Sequence, residues 1–161
     1  MFSIGHFLSG LVLYGSLSKL GVAITPMDGF LLAVSTVLIP DLDYAIYWNK
    51  HRKSFFHTPL FGLLMLVGGF LLVPYQIFIL GLTISKALIL ISVGILLHLI
   101  LDSIDFGVMW LYPFDKKLYG LKLLRTGPQP FKNYIKTYYS NKYMRNLEIV
   151  FLVLTLALTI I

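Results

Sequence analysis

The segment Ile39-Pro40-Asp41-Leu42-Asp43 lies near the end of an apolar run, Met27–Trp48. At about 1.5 Å of rise per residue, this run is long enough to cross roughly 30 Å of hydrocarbon as one helix. A charged Asp costs about 2.5–3.5 kcal/mol at the centre of such a helix, so the carboxylate pair requires water or a cation nearby. Pro40 lacks an N–H and disfavours helix before it, which predicts a kink that helps Asp41 and Asp43 to converge.

The composition around this segment is typical of an integral membrane protein. Of 161 residues, 58% are hydrophobic and 12% are charged, compared with about 45–50% and about 25% in soluble domains. The absence of cysteine excludes disulfides and thiolate ligands and leaves nitrogen and oxygen as the metal-binding atoms. The net charge of +6 is typical of basic cytoplasmic loops, and no stable nucleic acid partner is expected.

The rest of the chain predicts an all-α, integral membrane bundle of four to five transmembrane helices in a single domain, 1–161. Residues 1–104 form a four-helix core that carries the candidate metal site, and residues 105–146 form a basic, aromatic cytoplasmic segment that is too polar to span. The apolar run 147–161 is a terminal helix at the short end for a span. The other predicted spans are Phe2–Ser18, Pro59 to about Leu82 with a break at Pro74, and Ser85–Ile104.

Alternating spans bring the polar residues to one membrane face. The first helix begins, the second ends, the third begins and the fourth ends on that face. The residues that meet there are His6, Asp41, Asp43, His57, His98 and Asp102. Of the thirteen Lys and Arg residues, Lys19 and Lys86 fall on the opposite face, so the positive-inside rule predicts a cytoplasmic N-terminus and a cytoplasmic cluster in the plasma membrane.

The residue types in this cluster are those that bind divalent cations. His98 and Asp102 are four residues apart and share one face of a helix. Neutral imidazole together with carboxylate suits zinc, and also manganese or iron, and we expect one to three ions per chain. A mixed site with an open position can activate a metal-bound water at neutral pH. Arg52 is a candidate for binding a phosphate beside the metal.

In their order and spacing, these residues resemble the membrane-bound metal-dependent hydrolases, the YdjM-like family. The resemblance covers roughly residues 1–115. It is carried by His6, the stretch Leu38–Asp43, His51-Arg52, His57-Thr58, the His98 and Asp102 pair, and Tyr112-Pro113-Phe114. The chain departs from the family pattern in the stretch 51–58. Lys53 replaces a glycine, Phe56 precedes His57, and Thr58 replaces a serine.

The resemblance implies a function and a set of site residues. The family is distantly similar to zinc-dependent phospholipases C and to single-strand-specific nucleases, which implies a hydrolase of phosphoesters. It implies that the metal ligands are His6, Asp41, Asp43, His57, His98 and Asp102. It also makes His51 and Arg52 catalytic neighbours of the metal.

The sequence therefore predicts a membrane-bound phosphoesterase that acts on a lipid phosphoester, with membrane lipids and this substrate as its partners. The depth of the site near the headgroups and the basic segment favour an anionic lipid. Two alternatives use the same residues, namely a transporter of metal ions or small solutes and a non-catalytic scaffold whose polar cluster joins the helices. A transporter would favour polar residues on both faces, and here the opposite face is almost bare of them.

Overall fold

The computed structural model describes residues 3–46, 54–79, 81–121, 123 and 131–160. Helices make up most of these residues, which confirms the predicted all-α class. The elements are α1 (Ser3–Lys19), α2 (Pro26–Ile46), α3 (Pro59–Leu71), β1 (Phe78–Ile79), β2 (Leu82–Thr83), α4 (Ile84–Asp105), α5 (Phe131–Ser140) and α6 (Lys142–Ile160). The strands form one short antiparallel hairpin between α3 and α4.

Helix α2 lies between α1 and α4, while α3 packs on α4 and α6 packs on α1. Glycines allow the backbones of these helices to approach closely. A Cβ atom built on Gly10 of α1 would lie 2.6 Å from the Cα of Ala33, and one on Gly94 of α4 would overlap the side chain of Ser35. Small residues at helix interfaces permit this kind of contact in membrane bundles. Polar groups of α1 and α4 that lie one turn from these glycines can therefore come close to α2.

Apolar side chains cover much of the outer surface of the bundle. Leu64, Val67 and Phe70 on α3 and Val153 and Leu156 on α6 are each more than 40% exposed. Extended apolar surface of this kind marks a site of interaction with lipid or protein. Among the described residues, α4 is the one helix that is both long and apolar enough to cross a bilayer, and α3 is apolar but short. The predicted count of four to five spans is therefore not confirmed by helix length and composition.

The third apolar segment is shorter as a helix than the sequence predicted. Helix α3 ends at Leu71 rather than near Leu82, and a 3₁₀ turn follows at Val73–Tyr75. Pro74 has no N–H to donate to the carbonyl of Phe70, and the loss of this hydrogen bond favours the end of the helix here. The prediction of a break at Pro74 is confirmed, and the prediction of a helix that continues beyond it is wrong.

The terminal helix begins earlier than predicted, at Lys142 rather than Leu147. The Oδ1 atom of Asn141 accepts hydrogen bonds from the backbone N–H groups of Tyr143 (3.0 Å) and Met144 (3.4 Å). Asparagine is a favoured N-cap because its side chain satisfies N–H groups that have no partner within the helix. Lys142 and Arg145 therefore belong to the first turns of α6.

Replacing Gly94 with Ala is expected to destabilise the protein, because the new methyl group would overlap Ser35 and push α4 away from α2. Overpacking of this kind costs about 1–3 kcal/mol. Gly68→Ala is the matched control, since the nearest atom to its new methyl group would be Leu88 Cδ1 at 3.9 Å, an ordinary contact. Thermal unfolding of both variants in one detergent, followed by circular dichroism, measures the difference. Equal unfolding temperatures would contradict the close contact between α2 and α4.

Candidate metal centre

Four segments of the chain bring polar side chains to the same end of the bundle. His6 lies in the first turns of α1, Asp41 lies towards the end of α2, His57 precedes α3, and His98 and Asp102 lie in the last turns of α4. The side chains of the three histidines and Asp102 are at most 1% exposed, whereas that of Asp41 is 33% exposed. The structure thus brings together five of the residues that the sequence singled out, and the cluster opens at Asp41.

Three atoms of this cluster form a nearly equilateral triangle. The Oδ2 atom of Asp102 lies 2.9 Å from His57 Nε2 and 3.4 Å from His98 Nε2, and the two nitrogens are 3.2 Å apart. Tetrahedral zinc, with bonds of about 2.0–2.2 Å, holds its ligand atoms about 3.3 Å apart. The triangle therefore matches one face of a tetrahedral cation site. Asp41 Oδ1, 3.7 Å from His98 Nε2, is placed to act as a fourth ligand.

The outer nitrogens of two histidines face backbone carbonyls. His98 Nδ1 lies 2.7 Å from the carbonyl oxygen of Thr36, and His57 Nδ1 lies 3.4 Å from that of Pro40. A carbonyl oxygen only accepts hydrogen bonds, so His98 Nδ1 carries the proton and its Nε2 presents a lone pair to the cluster. A carboxylate oxygen also only accepts, so His57 Nε2, 2.9 Å from Asp102 Oδ2, is the donor of that contact. A divalent cation would take the place of this proton between the two nitrogens and the carboxylate.

His6 contacts the opposite oxygen of the same carboxylate. Its Nε2 lies 3.1 Å from Asp102 Oδ1, and its ring stacks on that of His98 with a centroid distance of 4.0 Å. A histidine that bonds a ligating carboxylate fixes the orientation of that ligand. The His6 Nδ1 atom is buried and has no hydrogen-bond partner among the described residues. Such an atom costs about 1–3 kcal/mol when it is unsatisfied, which a further bound cation or water would offset.

The donor set fits a divalent metal. Two groups, His6/His98/Asp102 and Asp41/His57/His98, each have ligand atoms that lie within 4.8 Å of one another. His98 is common to both groups, so the cluster offers either one complete site or two adjoining sites that share His98. Imidazole nitrogen and carboxylate oxygen are the ligands of zinc, manganese and non-haem iron.

Three of the predicted site residues have no described side chain. Asp43 belongs to α2, but its side chain lies outside the described part of the chain. His51 and Arg52 also lie outside the described residues. The metal-binding role of Asp43 and the catalytic roles of His51 and Arg52 stay predictions.

Sequence reasoning missed the backbone groups that support the site. The hydroxyl of Thr36 donates to the carbonyl of His6 at 2.9 Å, and the hydroxyl of Ser9 donates to the same oxygen at 2.6 Å. Together with the Thr36 carbonyl beside His98, these bonds link α1, α2 and α4 at the cluster. One feature of the sequence does indicate such a contact. Pro40 follows Thr36 by four residues and has no N–H, so the Thr36 carbonyl lacks its usual helical donor.

The opposite end of the bundle is also more polar than the sequence indicated. Asp28 is fully buried there, and its Oδ2 atom lies 2.7 Å from Lys86 Nζ of α4. Thr25 and Asp28 bond each other through side chain and backbone, which caps the start of α2. The expectation that this face is almost bare of polar groups is wrong. The ion pair joins α2 to α4 at the end away from the histidines.

Comparison with known proteins supports a membrane location. Over residues 1–161, the chain matches the family model described as YdjM inner membrane protein. The chain belongs to this family. No curated protein and no solved structure matches it. Membership in the YdjM family agrees with the predicted plasma-membrane location, while the family description names no reaction.

This YdjM protein is expected to retain divalent metal through the buried cluster. After purification in detergent and incubation with zinc or manganese, the wild type should hold near-stoichiometric metal, measured by inductively coupled plasma mass spectrometry. Asp102→Asn should lose it, because the amide keeps the shape of the carboxylate but not its charge. Asp115→Asn is the control, since Asp115 lies in an exposed loop away from the cluster.

Two outcomes would contradict a metal centre. One is a folded wild type that binds neither zinc nor manganese. The other is equal metal content in the wild type, Asp102→Asn and Asp115→Asn, which would indicate adventitious binding elsewhere.

Proposed function

We propose that this YdjM family member is a membrane-bound, metal-dependent hydrolase that cleaves phosphoesters of lipids at the cytoplasmic face. The observation that supports it most is the triangle of His57 Nε2, His98 Nε2 and Asp102 Oδ2, whose edges of 2.9–3.4 Å suit one divalent cation. A site that keeps an open position beside its protein ligands is the catalytic type of metal site. Here the open side is the one that Asp41 borders.

Each residue of the cluster has a distinct role in this proposal. His57, His98 and Asp102 hold the cation, zinc or else manganese or iron. His6 orients Asp102 through its second oxygen, as outer partners do in metal sites. Asp41, the partly exposed candidate ligand, borders the side by which water and substrate enter. A bound divalent cation would supply the activation of water and the neutralisation of phosphate charge.

The predicted residues outside the described parts complete the proposal. In this proposal Asp43 is a further candidate ligand, Arg52 is the candidate for binding the phosphate, and His51 is its catalytic neighbour. Arginine suits this task because its planar guanidinium forms two parallel hydrogen bonds to phosphate oxygens.

The surroundings of the cluster favour a lipid over a soluble phosphoester. A groove between α1 and α2 is lined by six apolar side chains, those of Ile4, Phe7, Leu8, Val34, Val37 and Leu38. The same stretches of α1 and α2 carry His6 and Thr36 of the cluster. An apolar groove on the same helix stretches as a polar cluster would suit an amphiphile, with an acyl chain in the groove and the phosphoester at the bound metal. The basic segment that follows α4 would attract an anionic headgroup.

The ion pair at the far end gives little support to a transporter. Lys86 neutralises Asp28, and Thr25 donates to the same carboxylate oxygen, so this oxygen is used in joining helices. An ion path would instead offer exchangeable ligands at both faces.

Hydrolysis is tested with metal-loaded protein in mixed micelles that contain phosphatidic acid or another anionic phospholipid, with release of phosphate or headgroup as the readout. Asp41→Asn is expected to reduce turnover by about 100-fold or more, since even outer partners of a metal site contribute 10–100-fold. Asp115→Asn should keep wild-type turnover.

Three outcomes of this experiment would reject or redirect the proposal. Absence of turnover on every phospholipid tested, with metal bound, would reject the lipid phosphoesterase. Cleavage of single-stranded oligonucleotides instead would redirect the substrate assignment. Release of entrapped zinc from proteoliposomes without hydrolysis would favour the transporter.

Val37→Trp is expected to fill the groove between α1 and α2 and to reduce turnover of long-chain phospholipids by roughly tenfold or more, the scale that pocket shape contributes to specificity. Turnover of a water-soluble, short-chain phosphoester should not change. Phe30→Trp is the matched control, because Phe30 lies on the same helix, is 61% exposed and does not line the groove. An equal loss on both substrates would show that the groove does not hold the acyl chain.

A further inference from the structure

Helix α2 contains a proline at a position where a proline removes one hydrogen bond. In a regular helix, the N–H of residue 40 would donate to the carbonyl of Thr36. Pro40 has no N–H, so Thr36 cannot receive its usual intrahelical donor. A buried carbonyl normally finds another partner. Thr36 is fully buried, and that partner must come from another part of the fold.

The partner comes from α4. His98 Nδ1 lies 2.7 Å from the Thr36 oxygen, a short and well-formed distance. Since the carbonyl can only accept, this contact fixes the proton of the neutral imidazole on Nδ1. The Nε2 atom of His98 is thereby left with a lone pair, and it points at Asp102 Oδ2 (3.4 Å) and His57 Nε2 (3.2 Å).

The same proline lies close to the second histidine without fixing its tautomer. The carbonyl oxygen of Pro40 lies 3.4 Å from His57 Nδ1, whereas His57 Nε2 lies 2.9 Å from the acceptor-only Oδ2 of Asp102. The closer contact makes Nε2 the donor of His57 in the metal-free protein. Pro40 is buried and lies next to Asp41 in the chain. Its connection to the tautomers of the triangle therefore runs through His98.

We infer that Pro40 is a positioning residue that sets the tautomer of His98. By withholding an N–H from the Thr36 carbonyl it reserves that oxygen for His98 Nδ1. The imidazole of His98 then presents an unprotonated Nε2 atom, the form that binds a metal. This inference rests on the proposed metal site for its purpose, but the tautomers can be measured without metal.

The test uses full-length protein labelled with ¹⁵N-histidine, metal-free in detergent, at a pH where the imidazoles are neutral. Long-range proton–nitrogen correlation spectra report which ring nitrogen carries the proton. In the wild type, His98 is expected as the Nδ1–H tautomer. In Pro40→Ala, the new backbone N–H competes for the Thr36 carbonyl, so an Nε2–H form of His98 should appear. Zinc affinity should then fall by about 10–100-fold, the range for loss of an outer partner.

Two further variants separate the missing N–H from other effects of proline. Pro26→Ala removes the exposed proline that begins α2, where backbone N–H groups have no helical acceptor, and should leave tautomers and zinc affinity unchanged. Lactic acid at position 40, installed by semisynthesis, gives a backbone ester without an N–H and without the proline ring. It should restore the wild-type tautomer of His98 and most of the zinc affinity.

Three results would overturn the inference, and a fourth would separate it from the proposed function. An Nε2–H tautomer of His98 in the wild type overturns the inference even if Pro40→Ala does not fold. So does a Pro40→Ala protein with unchanged tautomers and zinc affinity, or an ester variant that behaves like Pro40→Ala. If the tautomers follow the inference but the wild type binds no zinc or manganese, the proposed function fails while the role of Pro40 stands.

Discussion

The buried carboxylate of Asp102 is the constraint on which the histidine-bearing end of the bundle depends. A carboxylate withdrawn from water is stable only when it is paired and hydrogen-bonded. Its two oxygens meet this requirement through different partners, His6 on one side and His57 on the other. Because His6 comes from α1, His57 from the turn before α3 and Asp102 itself from α4, the hydrogen bonds of one side chain join three segments. Helix α2 joins them through the contact between Thr36 and His98.

Such contacts require helices that nearly touch, and the chain meets this requirement with two glycines. His6 is followed four residues later by Gly10, and His98 is preceded four residues earlier by Gly94. Both glycines lie against the backbone of α2, one turn from the histidine on the same face of their helix. The helix faces that pack closely on α2 are thus the same faces that carry the site histidines. A larger residue at either glycine would separate the histidine from α2 and weaken the site together with the fold.

The sequence was sufficient to predict that polar residues converge, because alternating helix directions place starts and ends on a common face. The bounds of α1 and α4 also followed from apolar runs that end at polar or turn residues. It was not sufficient to predict which atoms meet. The contact of His98 with Thr36, and that of Asp28 with Lys86, depends on the rotation of each helix about its axis. This rotation is set by close contacts such as that of Gly94, which involve residues far apart in the chain.

The two polar ends of α2 and α4 differ in a way that bears on function. At one end, Asp28 faces the ammonium group of Lys86, and the pair is close to neutral. At the other end, the described groups that face one another are carboxylates and imidazole nitrogens, and the imidazole of His98 donates its proton outward to the Thr36 carbonyl. The first arrangement carries its own cation and serves to join helices. The second has more acceptors than donors among its described side chains, and a divalent cation would supply the positive charge that balances them.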